Sequence, residues 1–128
     1  LVKRRLASLV VRNGKEYVEI TSAGKRMLRE FDFESITAPR AKRWDKKWRM
    51  VLFDVPEKKR RARQSLQRKL HQMGFYPLQR SVFVYPHPCE DEIDFLIMFL
   101  ELHPFVIYCE TTSLGRQENK VRLHFQLL

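Results

Sequence analysis

The sequence predicts an α+β fold, and three observations support that class. From residue 48 onward, apolar strand patterns and amphipathic helix patterns follow one another in the order β-α-β-β-α-β. The 128 residues are 44% hydrophobic and 12% aromatic, which is enough for a packed core and excludes a disordered basic tail. Near the N-terminus, Asn13-Gly14 separates two short apolar stretches, as in a tight β-hairpin.

Residues 1–33 predict a helix, a hairpin and a second helix. The stretch LVKRRLASL has the pattern of the last turns of a helix, and the hairpin turns at Asn13-Gly14. Thr21 or Ser22 is expected to cap the second helix. One face of that helix should be formed by Met27, Leu28 and Phe31. This arrangement resembles the back half of a winged helix-turn-helix domain, although a small helix–hairpin packing unit would give the same pattern.

Residues 34–47, ESITAPRAKRWDKK, are predicted to be a basic linker. They lack apolar periodicity and contain Pro39. Cations surround Trp44, which suits stacking on a nucleic-acid base. The same residues are also compatible with a tryptophan that docks on the core while the lysines stay in solvent.

Residues 48–128 supply the strands and helices of one domain. Met50–Phe53 is apolar without alternation, which predicts a central strand. A helix over 57–73 places its apolar residues inward and ends at Gly74. The apolar positions are Ala62, Leu66, Leu70 and Met73. The basic residues left for its exposed faces are Lys58, Lys59, Arg60, Arg61, Arg63, Arg68 and Lys69.

The remaining elements complete a ferredoxin-like βαββαβ order with an extra C-terminal strand. FYPLQ and SVFVYP predict two short strands, and a helix with an acidic first turn follows Pro88. PFVIYCE predicts another strand, and KVRLHFQL alternates as expected for a final strand with one exposed face. A core this small would gain from pairing with a second copy, so we expect a homodimer with contacts near residues 79–86 and 119–127.

The net charge of the chain indicates which classes of partner it binds. A net charge of +10 favours a polyanion, with nucleic acid preferred over an anionic membrane surface or simple solubility. No apolar run reaches the length of a membrane span, so we expect no membrane partner. Cys89 and Cys109 lack metal-ligand spacing and are typical of reduced thiols, which indicates a cytoplasmic protein.

Four pieces of sequence together carry a family resemblance: the strand ending in FDVP, the basic helix KKRRARQSLQRKL, Gly74-Phe75 and LQRSVFV. They resemble the CRISPR-associated Cas-two proteins and the central domain of PaaX-like transcriptional regulators. The extension before the first strand favours the PaaX-like group. That resemblance implies a non-catalytic regulator that binds double-stranded DNA and dimerises through a Cas-two-like domain over 48–128, preceded by part of a winged helix. The alternative is a Cas-two-like metal-dependent endonuclease or spacer-integration subunit.

Asp54 has two interpretations that remain open. In the Cas-two family the aspartate at this strand end is the proposed metal ligand and catalytic residue, paired with its copy across the dimer axis. Such a pair could hold Mg²⁺, and otherwise we expect no cofactor. The other interpretation is that Asp54 caps the basic helix near Pro56. The resemblance also places Gln79, Arg80 and Ser81 near the dimer centre or a phosphate. The same residues are equally compatible with strand ends whose polar side chains are simply solvated.

The DNA-contacting residues are expected to be cations in four segments. They are Lys3, Arg4, Arg5, Arg12, Lys15, Arg40, Lys42, Arg43, Lys46, Lys47, Lys58, Lys59, Arg60, Arg61 and Arg63.

Overall fold

The computed structural model describes residues 6–127, except for the side chain of Leu9. Strand β1 (Ala7–Arg12) pairs antiparallel with β2 (Lys15–Ile20), and Asn13 and Gly14 turn between them with φ of 52° and 74°. The predicted hairpin is therefore confirmed. The helix predicted over 1–9 is wrong for residues 7–9, because they pair with β2 in the hairpin. Residues 1–5, including Lys3, Arg4 and Arg5, lie outside the described residues.

Helix α1 (Ser22–Glu30) begins at the predicted cap. The Thr21 hydroxyl accepts a hydrogen bond from the Gly24 amide at 3.2 Å. Gly24 also has a steric role, since a Cβ there would collide with the carbonyl oxygen of Leu6. The predicted apolar face is confirmed, because Met27, Leu28 and Phe31 pack against the main core. The hairpin is thereby joined to a helix that rests on the larger domain.

The larger sheet has four antiparallel strands in the order β4-β5-β3-β6. Its strands are β3 (Trp48–Phe53), β4 (Tyr76–Gln79), β5 (Val82–Tyr85) and β6 (Val106–Thr111). A 3₁₀ turn (Glu57–Lys59) and α2 (Arg60–Gln72) connect β3 to β4, and α3 (Glu90–Phe99) connects β5 to β6. This is the ferredoxin-like βαββαβ arrangement, so the predicted α+β class is confirmed.

The main core lies between this sheet and its two helices. Val51 and Phe83 point from the sheet toward Leu66 of α2 and Phe95 of α3, and all four are buried. Helix α3 is buried around most of its circumference, since α1 packs against it as well. The first turn of α3 is acidic, as predicted, with Glu90, Asp91 and Glu92.

The predicted C-terminal strand is wrong. Residues 118–124 form helix α4 (Glu118–His124), which follows a 3₁₀ turn at Gly115–Gln117. Val121 is 0% exposed against Trp48 and Val84 on the outer face of the sheet, whereas Leu123 is 67% exposed. The Glu118 carboxylate accepts hydrogen bonds from the Leu114 amide at 2.9 Å and from Trp48 Nε1 at 3.1 Å. The packing of Val121 and Phe125, four residues apart, against the sheet therefore favours a helix over the strand that the alternating pattern predicted.

The segment between α1 and β3 forms no helix or strand but is anchored at several points. Ile36 is buried in the main core. Lys69 of α2, predicted to be exposed, is buried under this segment. Its Nζ donates to the carbonyl oxygen of Glu34 at 3.2 Å and lies 5.1 Å from the centroid of the Phe33 ring. The long side chain of Lys69 thus covers apolar surface while its ammonium keeps a polar partner.

Candidate nucleic-acid interface and the Asp54 corner

The predicted DNA-contacting cations are mostly exposed in the described chain. The exposed ones occupy the hairpin tip, the linker and the start of α2: Arg12, Lys15, Arg40, Lys42, Arg43, Lys46, Lys47, Lys58, Arg60 and Arg61. Lys59 and Arg63 are half-buried. The surface therefore offers cations at three separate places, each able to approach a phosphate backbone.

Several of these cations already have partners within the chain. Arg12 is paired with Glu19 across the hairpin. Arg60 and Arg63 each lie 3.4 Å from the Glu57 carboxylate. The side chains of Lys58 in the 3₁₀ turn and of Arg61 and Arg68 in α2 make no hydrogen bond or ion pair within residues 6–127.

Trp44 docks on the protein core. Its ring centroid lies 5.0 Å from that of Trp48, and its Nε1 donates to the carbonyl oxygen of Lys47 at 2.8 Å. The guanidinium carbon of Arg122 lies 4.8 Å from the same ring centroid. These contacts favour the docked interpretation over base stacking, because they use the ring surfaces that a base would need.

A buried arginine, which the sequence pattern did not single out, fixes the end of the linker. Arg49 is 3% exposed and binds both carboxylate oxygens of Asp45, at 2.8 and 2.6 Å. It also donates to the Glu110 carboxylate at 3.1 Å. Two carbonyl oxygens, those of Lys47 and Pro86, complete its partners at 3.1 and 3.0 Å. A charged residue inside the apolar run of β3 was the signal that could have revealed this network.

The Arg49 network should make the stability of the protein depend on pH in the acid range. Hydrogen bonds from Arg49 lower the pKa of Asp45 from 3.8 to about 2, against a smaller opposing effect of burial. The folded-state pKa is depressed, so the stabilisation is complete above pH 3.8 and is lost as the pH falls toward about 2. We expect Asp45→Asn to be less stable than the wild type at neutral pH. As the pH falls through the range from 3.8 to about 2, the difference in stability between the two proteins should shrink. Urea unfolding of both proteins across the window measures this, and a pH-independent difference would contradict it.

Asp54 lies at the end of β3 and caps neither helical segment that follows. Its amide donates to the carbonyl oxygen of Phe105 at 2.9 Å, and its side chain is exposed. The N-cap positions are Pro56 for the 3₁₀ turn and Lys59 for α2, and neither start has a side-chain cap. The capping interpretation is therefore wrong, because extended backbone at Pro56 separates Asp54 from the first free amides.

The structure brings Asp54 and Ser81 together. Both line one shallow depression, whose other walls include Leu52, Phe105 and Ile107. The carbonyl oxygen of Ser81 accepts from the Phe53 amide at 3.1 Å, which ties the β4–β5 turn to the end of β3. Gln79 and Arg80 in the same turn have exposed side chains.

Among the described residues that line this depression, Asp54 is the one carboxylate. Within residues 6–127, no three His, Cys, Asp or Glu side chains cluster as metal ligands would. The nearest acid in sequence, Glu57, interacts with Arg60 and Arg63. A single exposed carboxylate supplies few of the oxygen ligands that a hard cation takes.

Because Asp54 is exposed and caps nothing, its loss should barely change stability. We expect Asp54→Asn and Asp54→Ala each to shift the free energy of unfolding by no more than about 0.5 kcal/mol. Urea unfolding measures this shift. A loss of about 1 kcal/mol in the alanine variant alone would instead restore the capping role.

Comparison with known families identifies this domain. The model of the PaaX protein central Cas2-like domain matches residues 41–122, which is most of the chain. The chain belongs to the PaaX family. None of the curated proteins matches it significantly. The matched region of this PaaX-family chain contains β3 to β6, both helices of the sandwich, the Asp54 corner and the cationic start of α2. Across residues 6–127, no helix has the length and apolar character needed to cross a membrane.

Proposed function

We propose that this PaaX-family chain is a non-catalytic transcriptional regulator that binds double-stranded DNA. The observation that carries the proposal is the set of exposed cations at the hairpin tip, the linker and the start of α2. Such groups bind phosphates without reading sequence, and they supply much of the affinity of DNA-binding proteins. In this proposal the hairpin with Arg12 and Lys15 acts as the wing of a winged helix.

The regulator is proposed to act as a homodimer through the open part of its sheet. Helix α4 covers the Trp48 end of the outer face. At the other end, Leu52 lies directly opposite Val82 on one side and Ile107 on the other, and Ile107 is 61% exposed. This row of three apolar side chains supports a contact that includes β5. It replaces the contact expected from a terminal strand, since residues 118–124 are helical.

Two variants test the dimer. We expect the wild type to be a dimer at micromolar concentration by multi-angle light scattering and Ile107→Asp to be monomeric, because a carboxylate would be buried in an apolar contact. Leu123→Asp is the matched control, since Leu123 is 67% exposed on α4 away from that row. A monomeric wild type, or a dimer unaffected by Ile107→Asp, would contradict the proposed interface.

The nuclease alternative makes an opposite prediction about Asp54. Pairing of two Asp54 carboxylates across a dimer would supply the two oxygen ligands from which a Mg²⁺ site could be built. We expect neither the wild type nor Asp54→Asn to cut DNA or RNA when Mg²⁺ is added. Cleavage by the wild type that disappears in Asp54→Asn would reject the non-catalytic proposal. Because the substitution should not change stability, such a loss could not be ascribed to unfolding.

A further inference from the structure

A cavity of about 390 Å³ lies on the side of the domain away from the Asp54 corner. It forms where linker residues 37–40, the end of α2, the end of β5 and the end of α4 meet. Pockets that hold small molecules typically measure roughly 300–1,000 Å³. The cavity is therefore large enough for a small ligand. The proposed dimer contact does not use it, and Arg40 is the one predicted DNA-contacting cation of the described chain that lines it.

The cavity combines apolar walls with polar groups. Met73, Tyr85 and Phe125 provide the apolar side. The rings of Tyr85 and Phe125 meet edge to face, with centroids 6.0 Å apart. The Tyr85 hydroxyl donates to the carbonyl oxygen of Pro39 at 2.9 Å, which holds the linker wall in place. The polar lining residues are Thr37, Arg40, Gln72, His87 and His124.

His87 is a buried polar residue in the wall of this cavity. The side chain is 9% exposed, and its Nδ1, which is shielded from solvent, has no hydrogen-bond partner in the described chain. Burial lowers the pKa of His87, the nearby cations Arg40 and Arg49 lower it further, and Asp45 acts weakly in the opposite direction. Burial and the two cations thus disfavour the protonated ring, and a bound anion would act in the opposite direction.

Arg40 supplies the positive charge of the cavity. Its side chain is exposed, it forms no ion pair within residues 6–127, and its charge acts on both Tyr85 and His87. The two helices that end here present few free carbonyl oxygens. Phe75 N donates to Leu70 O at 3.0 Å after α2, and Leu127 N donates to Arg122 O at 2.8 Å after α4. These closing bonds reduce the negative potential that helix C-termini would otherwise direct at an anion.

The geometry points to a binding site for a small molecule that carries an oxyanion group, either a carboxylate or a phosphate. Arg40 is its counter-ion, His87 and His124 are its hydrogen-bonding partners, and the Tyr85 and Phe125 rings face its apolar portion. Arg40 was also expected to contact DNA, and this inference assigns it to the cavity instead. The site stands whether or not the chain binds DNA.

Histidine-detected NMR on the full chain tests the site, with sodium acetate and inorganic phosphate as separate probes. We expect saturable shifts of the His87 and His124 side-chain resonances with at least one probe. The probe that binds more tightly tells which oxyanion is preferred. His71 and His103 do not line the cavity and serve as internal controls.

Two matched variants decide whether the cavity itself binds the anion. Arg40→Gln should weaken binding by about tenfold or more, because it removes a charge-assisted contact. Arg43→Gln removes the same charge from an exposed linker position outside the cavity and should leave binding unchanged. The inference is overturned if neither probe shifts His87 saturably, or if the two variants weaken binding equally. Arg40 is exposed, so its variant should stay folded, and the dispersion of the spectrum verifies this.

Discussion

Replacing Trp48 with alanine is expected to lower the free energy of unfolding by about 3 to 5 kcal/mol. Trp48 is 0% exposed, and its ring projects from the outer face of the sheet to contact Trp44 and Phe125. Its Nε1 also binds the Glu118 carboxylate, so the substitution removes both apolar burial and a link to α4. Chemical denaturation followed by circular dichroism measures the loss.

Two further variants test whether α4 packs on the sheet as a helix. Val121→Ala should be clearly destabilising, because Val121 is buried against Trp48, whereas Leu123→Ala should be nearly neutral. A strand with alternating burial would give Val121 and Leu123 similar costs. Equal costs at those two positions, or a loss below about 1 kcal/mol for Trp48→Ala, would contradict the packing of α4 on the sheet.

Much of the fold could be predicted from local sequence patterns. The prediction failed for the C-terminal segment, where contacts between distant parts of the chain decide the structure. The hairpin at Asn13-Gly14 and the apolar face of α2 follow from short-range rules, and both are present. The C-terminal segment was ambiguous because Val121 and Phe125 fit both a strand period and a helix period. Only the apolar Trp48–Val84 surface, formed by distant segments and buried by α4, selects the helix.

The sequence predicted which residue types form the candidate site, but not the contacts that their side chains make within the fold. The sequence located the exposed cations and the carboxylate at the end of β3. It could not show that Arg49 and Lys69 would be buried, since their partners Glu110 and Glu34 are distant in the chain. Nor could it place Asp54, whose distance from the first helical amides depends on the extended backbone at Pro56.

The second large effect concerns the cationic start of α2. Changing Lys58, Arg60 and Arg61 to glutamine is expected to lower affinity for double-stranded DNA on the order of a hundredfold at about 0.1 M salt. The reason is that three phosphate contacts, and the counter-ion release that accompanies them, would be lost. Fluorescence anisotropy with a labelled duplex measures the change.

A triple variant of α1 is the matched control for charge. Changing Lys25, Arg26 and Arg29 to glutamine removes the same total charge from exposed positions outside the proposed DNA surface. We expect a much smaller loss of affinity from this variant. Equal losses in the two triple variants would show that the overall charge, rather than the start of α2, attracts the DNA.

The salt dependence of DNA binding tests the proposed function most directly. If about six phosphates are neutralised, log K should fall with log salt concentration with a slope of about −5, and the α2 triple variant should reduce that magnitude by about 3. The measurement is a series of anisotropy titrations of the wild type and the variant across a range of salt concentrations. A steep slope that becomes shallower in the variant is the predicted result. Absence of binding at low salt, or a slope near zero, would contradict the assignment of this chain as a DNA-binding regulator.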